Sequence, residues 1–432
     1  MEEKKPGEVD APQDDEFVGK ITEAEKSNLK LEVTEPAAAY VSEEEDMARA
    51  RALFEKSSGI DIKVHNPQER KGGAFAANFY TYDILGNDKH GKVNVSRRYK
   101  EFDALRIKLK ENWPGIFIPS IPDKTVKNKG DHVIQERTLF LDHFMKKCAK
   151  MDHIYYSEEM QLFLRSTGSS EEIIRNLTAL PPKTCVTLYN QYKALFPDFD
   201  LKIEKKTQED VVKRVNDLKV PLREVIEMRE SLKAMKEIQP DLKHYKTEFM
   251  KSLGQEAITK IKDKSEQEAK STKVKEYMAL EKEDSITKLS SNLKILRRDL
   301  ESFFLITGDV SFVFKIIGHN QHVIQESGKE LQVLRSSDKE QISDGLFKKV
   351  NRQDKIKELE KVKETAEEEL RAAQKLHDMI YILLEKQEIP LILYVKNMGL
   401  ANGIMELTRR RKQCLALEQE VMDIVVSQFP QA

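Results

Sequence analysis

The chain has 432 residues, of which 34% are charged, 39% hydrophobic and 7% aromatic. At roughly 100–200 residues per domain, this length predicts two or three folding units. The charged fraction exceeds the roughly 25% of ordinary domains, which favours long solvated helices. Charges interrupt every apolar stretch well before the roughly 20 residues that a membrane span needs, so no transmembrane segment is expected.

The net charge of −1 hides two parts of opposite sign. Residues 1–50 carry 15 acidic and 6 basic side chains, a net of −9, which leaves 67 basic and 59 acidic side chains, a net of +8, for the remainder. The acidic segment has too few apolar residues to offset its ordering entropy, so residues 1–58 are predicted to be a disordered tail. The part that should fold is basic.

The compartment is indicated by the cysteines and by the first residues. Cys148, Cys185 and Cys414 are odd in number and far apart, which fits a reducing, cytoplasmic location. The first ten residues are acidic and lack an apolar core, so they resemble neither a secretory signal nor a transit peptide.

Residues 59–166 are predicted to form a small α+β domain. Apolar residues alternate with polar ones in Ile60–Val64 and Val93–Val95, and Phe75–Ile84 is rich in aromatic residues, which predicts a three-stranded antiparallel sheet. A short helix should follow and end before Pro114. The prolines of Pro114–Pro122 then require an extended segment, and further helices complete the domain.

Residues 205–432 are predicted to be an elongated all-α bundle. Between Ile286 and Phe303 the apolar residues repeat at heptad steps, and long proline-free stretches continue the pattern. We divide this region into three helices, at about 205–262, 274–335 and 347–427. The preceding linker, 167–204, contains an apolar stripe in Cys185–Phe196 that either inserts into a membrane or packs against the rest of the protein.

The sharpest local pattern is the run Ser96–Phe102. Its Arg97, Arg98 and Tyr99 place guanidinium groups, which can donate two hydrogen bonds to a phosphate, next to a flat ring on which a sugar-like ring can stack. The alternative is an edge strand with solvated charges.

The wider pattern resembles the phox-homology (PX) domain of phosphoinositide-binding proteins. Its elements are Arg97-Arg98-Tyr99-x-x-Phe102, then Pro119-x-x-Pro122-x-Lys124, then Arg137. The resemblance implies that Arg98 holds the 3-phosphate of an inositol ring and that Tyr99 stacks under the ring. It further implies that Lys124 contacts the 1-phosphate and Arg137 the 4- and 5-hydroxyls. This set favours phosphatidylinositol 3-phosphate as the ligand.

Around this pattern, further residues are expected to touch the membrane. Basic side chains near an anionic leaflet contribute about 1 kcal/mol each, and apolar side chains can enter the interface. The candidates are Arg97, Ile118, Ile121, Lys127 and Lys129. A core position for the isoleucines is the alternative.

A PX-like unit followed by long helices resembles the sorting nexins of the PX-BAR type. The resemblance implies a homodimer, or a heterodimer with a related sorting nexin, whose basic residues face a curved membrane. Candidates for that face are Arg409, Arg410, Arg411 and Lys412, for which a solvated helix surface is the alternative. The expected function is a peripheral protein on the cytosolic face of endosomes that senses or generates curvature in protein transport. The alternative is a soluble coiled-coil scaffold that uses the PX-like module for protein contacts.

Catalysis, cofactors and nucleic acid are not expected. The chain has no GxxxxGK[ST], GxGxxG, HExxH or GxSxG motif. His319 and His322 are three residues apart, but no further ligand stands close in sequence, so a helix surface is expected there rather than a metal site. The near-neutral charge and the lack of a basic and aromatic repeat argue against a nucleic-acid partner.

Overall fold

A computed structural model describes most of the chain outside the first 39 residues. The described residues are 40–55, 59–71, 78–122, 130–197, 205–282, 285–337, 341–344 and 348–428. Two compact units are distinguished, Met1–Glu45 and Asp46–Ala432, and the description below concerns the second.

The elements follow one another in the order strands, short helices, long helices. The first part contains α1 (Tyr40–Glu55), β1 (Asp61–Arg70), β2 (Phe79–Asp88), β3 (Gly91–Arg98), α2 (Tyr99–Asn112), α3 (Asp131–Ala149), α4 (Asp152–Tyr155) and α5 (Glu158–Arg165). The second part contains α6 (Ser170–Ala179), α7 (Cys185–Leu195), α8 (Lys205–Asp217), α9 (Lys219–Thr259), α10 (Lys264–Lys282), α11 (Ser285–Phe304), α12 (Ile306–Arg335), β4 (Gln341–Asp344), β5 (Lys348–Asn351), α13 (Arg352–Leu383), a π-helix (Leu384–Glu388) and α14 (Ile389–Val426).

The sheet is three-stranded and antiparallel in the order β1-β2-β3, as predicted. Tyr82 stands opposite Arg97 and Thr81 opposite Arg98, so the two arginines at the end of β3 lie on opposite faces of the sheet. The helices α2, α3 and α5 close the core on one side, where Phe102, Phe144 and Phe163 pack edge to face. The α+β part of the predicted fold class is confirmed.

The helical part of the fold class is also confirmed, although each of the three predicted helices is interrupted. The first breaks at Leu218, three residues before Pro221, and the second breaks at Leu305. The third changes to a π-helix just before Pro390. Proline lacks an N–H group, so the α-helical hydrogen bond to the Lys386 carbonyl cannot form. The Arg49 Nη1 atom donates to that carbonyl instead, at 3.3 Å.

Helix α1, at Tyr40–Glu55, lies within the segment 1–58 that is predicted to be a disordered tail. In the second unit, Ala50 is buried, and the Phe54 ring packs against the Tyr394 ring at 5.4 Å. The Lys150 Nζ atom donates to the Phe54 carbonyl at 3.0 Å. Within the second unit, residues 46–55 are therefore held by the side chains of Ala50 and Phe54 and by hydrogen bonds at Arg49 and Phe54.

The apolar stripe of the linker packs inside the protein. Cys185, Leu188 and Tyr192 of α7 are buried, and the Tyr192 hydroxyl donates to the Pro114 carbonyl at 2.5 Å. The backbone N–H of Cys185 donates to the Glu369 carboxylate at 2.9 Å. The packing alternative for this stripe therefore agrees with the structure, and the membrane-insertion alternative does not.

The extended segment 113–122 joins the sheet domain to the long helices. Gly115 has a φ of +83°, and a Cβ atom there would lie 2.6 Å from the Ile380 side chain, so only glycine fits. The Asp299 carboxylate accepts hydrogen bonds from the N–H and hydroxyl of Ser120 and lies 2.8 Å from the His143 ring nitrogen. These buried polar contacts fix the domain against α11.

In the described part of the chain, no helix has the length and hydropathy of a membrane span. The same residues contain no group of three His, Cys, Asp or Glu side chains arranged to hold a metal ion.

Candidate functional site

The junction of β3 and α2 positions the candidate site. Arg98 is the N-cap residue of α2 and has an extended backbone. Its backbone N–H donates to the Glu101 carboxylate at 2.7 Å, and the Ser170 hydroxyl donates to the same oxygen at 3.0 Å. A carboxylate in the first turn also complements the positive end of the helix dipole. The strand end, the helix start and α6 are thereby held together.

The Arg98 side chain lies over an aromatic ring near the surface. Its guanidinium carbon is 3.7 Å from the centroid of the Phe79 ring, and its Nη1 atom is 3.2 Å from the Glu171 carboxylate. The Glu171 side chain is 78% exposed, so this ion pair is largely solvated. An arginine packed on a ring face keeps its planar donors oriented toward an incoming anion.

Tyr99 and Arg137 are brought together from different elements. The guanidinium carbon of Arg137, on α3, lies 4.7 Å from the centroid of the Tyr99 ring at the start of α2. Arg137 also lies near Tyr82: burial raises the pKa of the Tyr82 hydroxyl, and the charge of Arg137 partly lowers it again. A sugar-like ring that packs on Tyr99 therefore lies beside a guanidinium group.

The loop expected to carry the remaining site residue begins at this cluster. The Tyr99 hydroxyl donates a hydrogen bond to the Pro122 carbonyl, the last described residue before the loop. Lys124, Lys127 and Lys129 lie outside the described residues.

Arg97 differs from its neighbour and corrects one expectation. Its side chain is buried, with Nε donating to the Phe163 carbonyl at 2.8 Å and Nη2 to the Ser166 carbonyl at 2.6 Å. Glu101 lies 3.6 Å away, and burial lowers the pKa of Arg97. Arg97 is therefore a structural residue and does not contact a membrane, because its strand position points inward.

The two isoleucines correct the same expectation. Ile118 and Ile121 are 3% and 9% exposed and belong to the hydrophobic core. The segment that carries them is pressed against α11 by the Ser120–Asp299 contacts, so their side chains have no access to a bilayer. The core alternative agrees with the structure.

The basic residues of α14 lie at the surface. The guanidinium groups of Arg409 and Arg410 both contact the Glu406 carboxylate, at 3.0 and 2.7 Å. Arg411 and Lys412 are exposed. One carboxylate compensates at most one of these four positive charges, so the cluster remains a basic surface.

Sequence reasoning did not assign roles to three residues that shape the site, namely Phe79, Tyr82 and Glu171. Phe79 and Tyr82 belong to the aromatic-rich strand, but which of its rings would lie near the arginines depends on strand register. Glu171 comes from the linker, 73 residues after Arg98, and no local pattern could link the two.

The cluster of Arg98, Tyr99 and Arg137 combines guanidinium donors with a flat aromatic ring. Groups of these types can bind an anionic, ring-shaped ligand.

Comparisons with known proteins support this description. The PX domain family model matches residues 86–167. Among curated relatives, sorting nexin-41 of Yarrowia lipolytica is 29% identical over 122 residues, covering 26% of this chain and 20% of that protein. Human sorting nexin-11 is 30% identical over 125 residues, covering 28% and 46%. Sorting nexin-4 of Eremothecium gossypii is 27% identical over 165 residues, covering 34% and 40%.

The matched segments thus span less than half the length of these relatives. The fold comparison extends further. The cryo-EM structure of the SNX-BAR Mvp1 tetramer matches with a TM-score of 0.50 and 16% sequence identity, covering 84% of this chain and 99% of that one. Residues 86–167 therefore match a PX domain, and the chain has the fold of that SNX-BAR structure.

Proposed function

We propose that this protein binds phosphatidylinositol 3-phosphate on the cytosolic face of endosomes and senses or generates membrane curvature during protein transport. The observation that carries the proposal is the convergence of Arg98, Tyr99 and Arg137 in the PX domain. Arg98 would bind the 3-phosphate and Tyr99 would stack under the inositol ring. Arg137 would bind the 4- and 5-hydroxyls, and Lys124 the 1-phosphate.

The selectivity for a 3-phosphate follows from the donors available. Arg98 lies on the Phe79 ring and can reorient from the solvated Glu171 carboxylate to a phosphate at small cost. Arg137 lies against the Tyr99 ring and near Tyr82, so in this proposal it would donate to the ligand hydroxyls on the far side of the ring from Arg98. A ligand phosphorylated at the 3-position fits this division.

The curvature part of the proposal is supported by the fold and by surface charge. A dimer, formed with a second copy or with a related sorting nexin, would link two headgroup sites and two basic surfaces at Arg409–Lys412. Linked weak sites bind more tightly than either alone, so the protein would accumulate where the lipid and curvature coexist.

The test is vesicle sedimentation of the full chain. Hydrogen bonds to charged groups contribute about 1.5–3 kcal/mol, so Arg98→Gln should lower the affinity for phosphatidylinositol 3-phosphate vesicles roughly tenfold or more. Arg175→Gln, which alters an exposed arginine of α6, is the matched control and should bind like the wild type.

If wild type and Arg98→Gln bind equally, or if neither binds, lipid recognition by this site is lost and the coiled-coil scaffold is favoured. Binding to vesicles of different diameters tests curvature sensing separately. Equal binding per lipid to small and large vesicles would contradict curvature sensing but not lipid recognition.

A further inference from the structure

A second cavity lies away from the phosphoinositide site. Its volume is about 670 Å³, within the range of small-molecule pockets. Apolar residues from four segments form most of its wall: Leu53, Phe54, Phe117, Leu195, Phe196 and Ile392. Lys147 of α3 also lines it and lies ten residues after Arg137, roughly 15 Å along the helix, so the two sites are distinct.

Four cations border this apolar space: Arg49, Lys89, Lys147 and Lys150. Their charged groups are held by rings and carbonyls. Lys150 Nζ lies 3.6 Å from the Phe54 ring centroid, and Lys89 Nζ lies 3.6 Å from that of Tyr156. The charge of the buried Asp299 carboxylate also acts on Lys147 and partly offsets the effect of burial on its pKa. On the cavity wall, these four cations therefore outnumber the two acids, Asp152 and Glu388.

The acids on the wall, Glu388 and Asp152, offset part of this charge. Glu388 is fully buried and accepts hydrogen bonds from the Phe117 N–H at 3.1 Å and from Gln387 at 3.0 Å. Burial raises the pKa of Glu388 to about 7, which favours its neutral form relative to an exposed carboxyl group. Asp152 is the other acid that lines the space.

A ligand that suits both features has an apolar chain and one anionic end. The apolar chain of the ligand would fill the cavity and contact its aromatic and aliphatic side chains. The anionic group would lie between ammonium groups. Lys147 is the central cation: burial lowers its pKa to about 8, and an anion bound beside it would favour its charged form.

We infer that this cavity binds a single-chain amphipathic anion, with its head group at Lys147 and Lys150 and its chain against Phe54 and Ile392. The inference is independent of the proposed phosphoinositide site. Because α1 and α14 both supply walls, the ligand would also strengthen the attachment of α1 to the folded unit.

The experiment is a titration of delipidated full-length protein with cis-parinaric acid, a fluorescent fatty acid. Palmitate and 16-carbon lysophosphatidic acid serve as competitors, and neutral hexadecanol is the chain-only control. We expect saturable binding at one site per chain, with at least fivefold weaker competition by hexadecanol. Displacement by palmitate alone assigns the site to free fatty acids, and displacement by lysophosphatidic acid alone assigns it to a phosphate-bearing lipid.

Two variants locate the binding. Lys147→Met should weaken binding at least fivefold, whereas Lys146→Met, which removes an exposed lysine paired with Asp142 at 2.7 Å, should change it less than twofold. Val395→Trp fills the cavity from α14 and should abolish binding, with circular dichroism to verify folding.

Absence of saturable binding to the wild type overturns the inference. So does wild-type affinity in Val395→Trp. Equal competition by hexadecanol and palmitate, together with unchanged binding by Lys147→Met, overturns the assignment of an anionic ligand.

Discussion

Arg98 has two partners that a phosphate would affect differently. The Phe79 ring supports the guanidinium from below and can stay in place when an anion binds, whereas the Glu171 carboxylate at 3.2 Å occupies one of its donors. Since Glu171 is exposed, the ion pair is worth at most about 1 kcal/mol. A phosphate carries more charge and more acceptor oxygens, so it should displace this carboxylate.

We therefore expect Glu171→Gln to raise the affinity for phosphatidylinositol 3-phosphate vesicles, up to about fivefold. Sedimentation with increasing lipid measures the change. Glu172→Gln, an exposed acid one residue further along α6, is the matched control. Unchanged or weaker binding by Glu171→Gln would show that the carboxylate does not compete with the ligand.

Arg97 presents the opposite case at the adjacent position. It is buried and donates to two backbone carbonyls in addition to its contact with Glu101. Removing one member of a buried charged network typically costs about 3–5 kcal/mol. Arg97→Gln should lower the free energy of unfolding by an amount of that order, measured by urea denaturation. Arg98→Gln should lower it far less, and equal stabilities of the two variants would contradict this division of roles.

At the scale of an element, the π-helix at Leu384–Glu388 marks where the long helices meet the sheet domain. It forms because Pro390 cannot continue the α-helical pattern, and π-helical turns are frequent at functional sites. The widened turn directs the Glu388 carboxyl to the Phe117 N–H in the extended segment. A local irregularity thereby becomes a contact between domains.

The raised pKa of Glu388, about 7 against a usual 4.5, makes stability depend on pH. The folded state holds this proton more tightly than the unfolded state, so the contribution is fully present below pH 4.5 and is lost as pH rises through 7. The full difference is on the order of 3 kcal/mol. The melting temperature of Glu388→Gln relative to wild type should therefore increase between pH 5 and pH 8.

The control for this pH series is Glu385→Gln, which alters a partly exposed acid of the same π-helix that lies 3.6 Å from Lys386. Its melting temperature relative to wild type should stay nearly constant over the same range. A difference for Glu388→Gln that does not change with pH would refute the contribution of this carboxyl.

A second buried acid shows the opposite shift. Burial alone would raise the pKa of Asp299, but the hydrogen bond and charge of His143, the charge of Lys147 and the Ser120 N–H outweigh it and hold the pKa below its usual range. The Asp299 contacts therefore stabilise the junction above the usual carboxyl pKa and weaken only as acid protonates the group. Segment 113–122 is thus held by two buried acids whose pKa values are shifted in opposite directions.

At the scale of the whole molecule, the long helices leave large apolar side chains exposed. On α9, Tyr245 and Phe249 are 70% and 61% exposed and are four residues apart, so they lie on one face. On and next to α12, Leu305 and Phe312 are also exposed and seven residues apart. Adjacent exposed rings are typical of association surfaces, which agrees with the proposed dimer.

We expect Phe249→Glu to shift the protein from dimer to monomer at micromolar concentration, because a charge would be buried without a partner. Light scattering coupled to size exclusion measures the mass. Lys251→Glu, which changes a half-exposed lysine of the same helix, should leave the mass unchanged. A monomeric wild type would refute the dimer, and a dimeric Phe249→Glu would place the interface elsewhere.

The secondary structure and the PX motif of this protein can be predicted from its amino-acid sequence alone. Alternation and proline positions predicted the sheet, the extended segment and the long helices, and the motif around Arg98, Tyr99 and Arg137 identified the PX domain. These features depend on neighbours within a few residues, through strand alternation, helical period and the restricted backbone of proline. The same reasoning does not predict α1, because the acidic composition outweighs the few apolar residues that dock it.

Which of two neighbouring side chains is buried and which is exposed depends on the folded structure. Arg97 turns inward and Arg98 outward because α5 covers one face of β3, and nothing in the run of basic residues indicates which face that is. Ile118 and Ile121 are core residues because α11 lies against their segment. Asp299 of α11 contacts Ser120 in that segment, although the two are 179 residues apart in sequence. Burial, ion pairing and pKa depend on contacts between distant segments, and these exist only once the chain has folded.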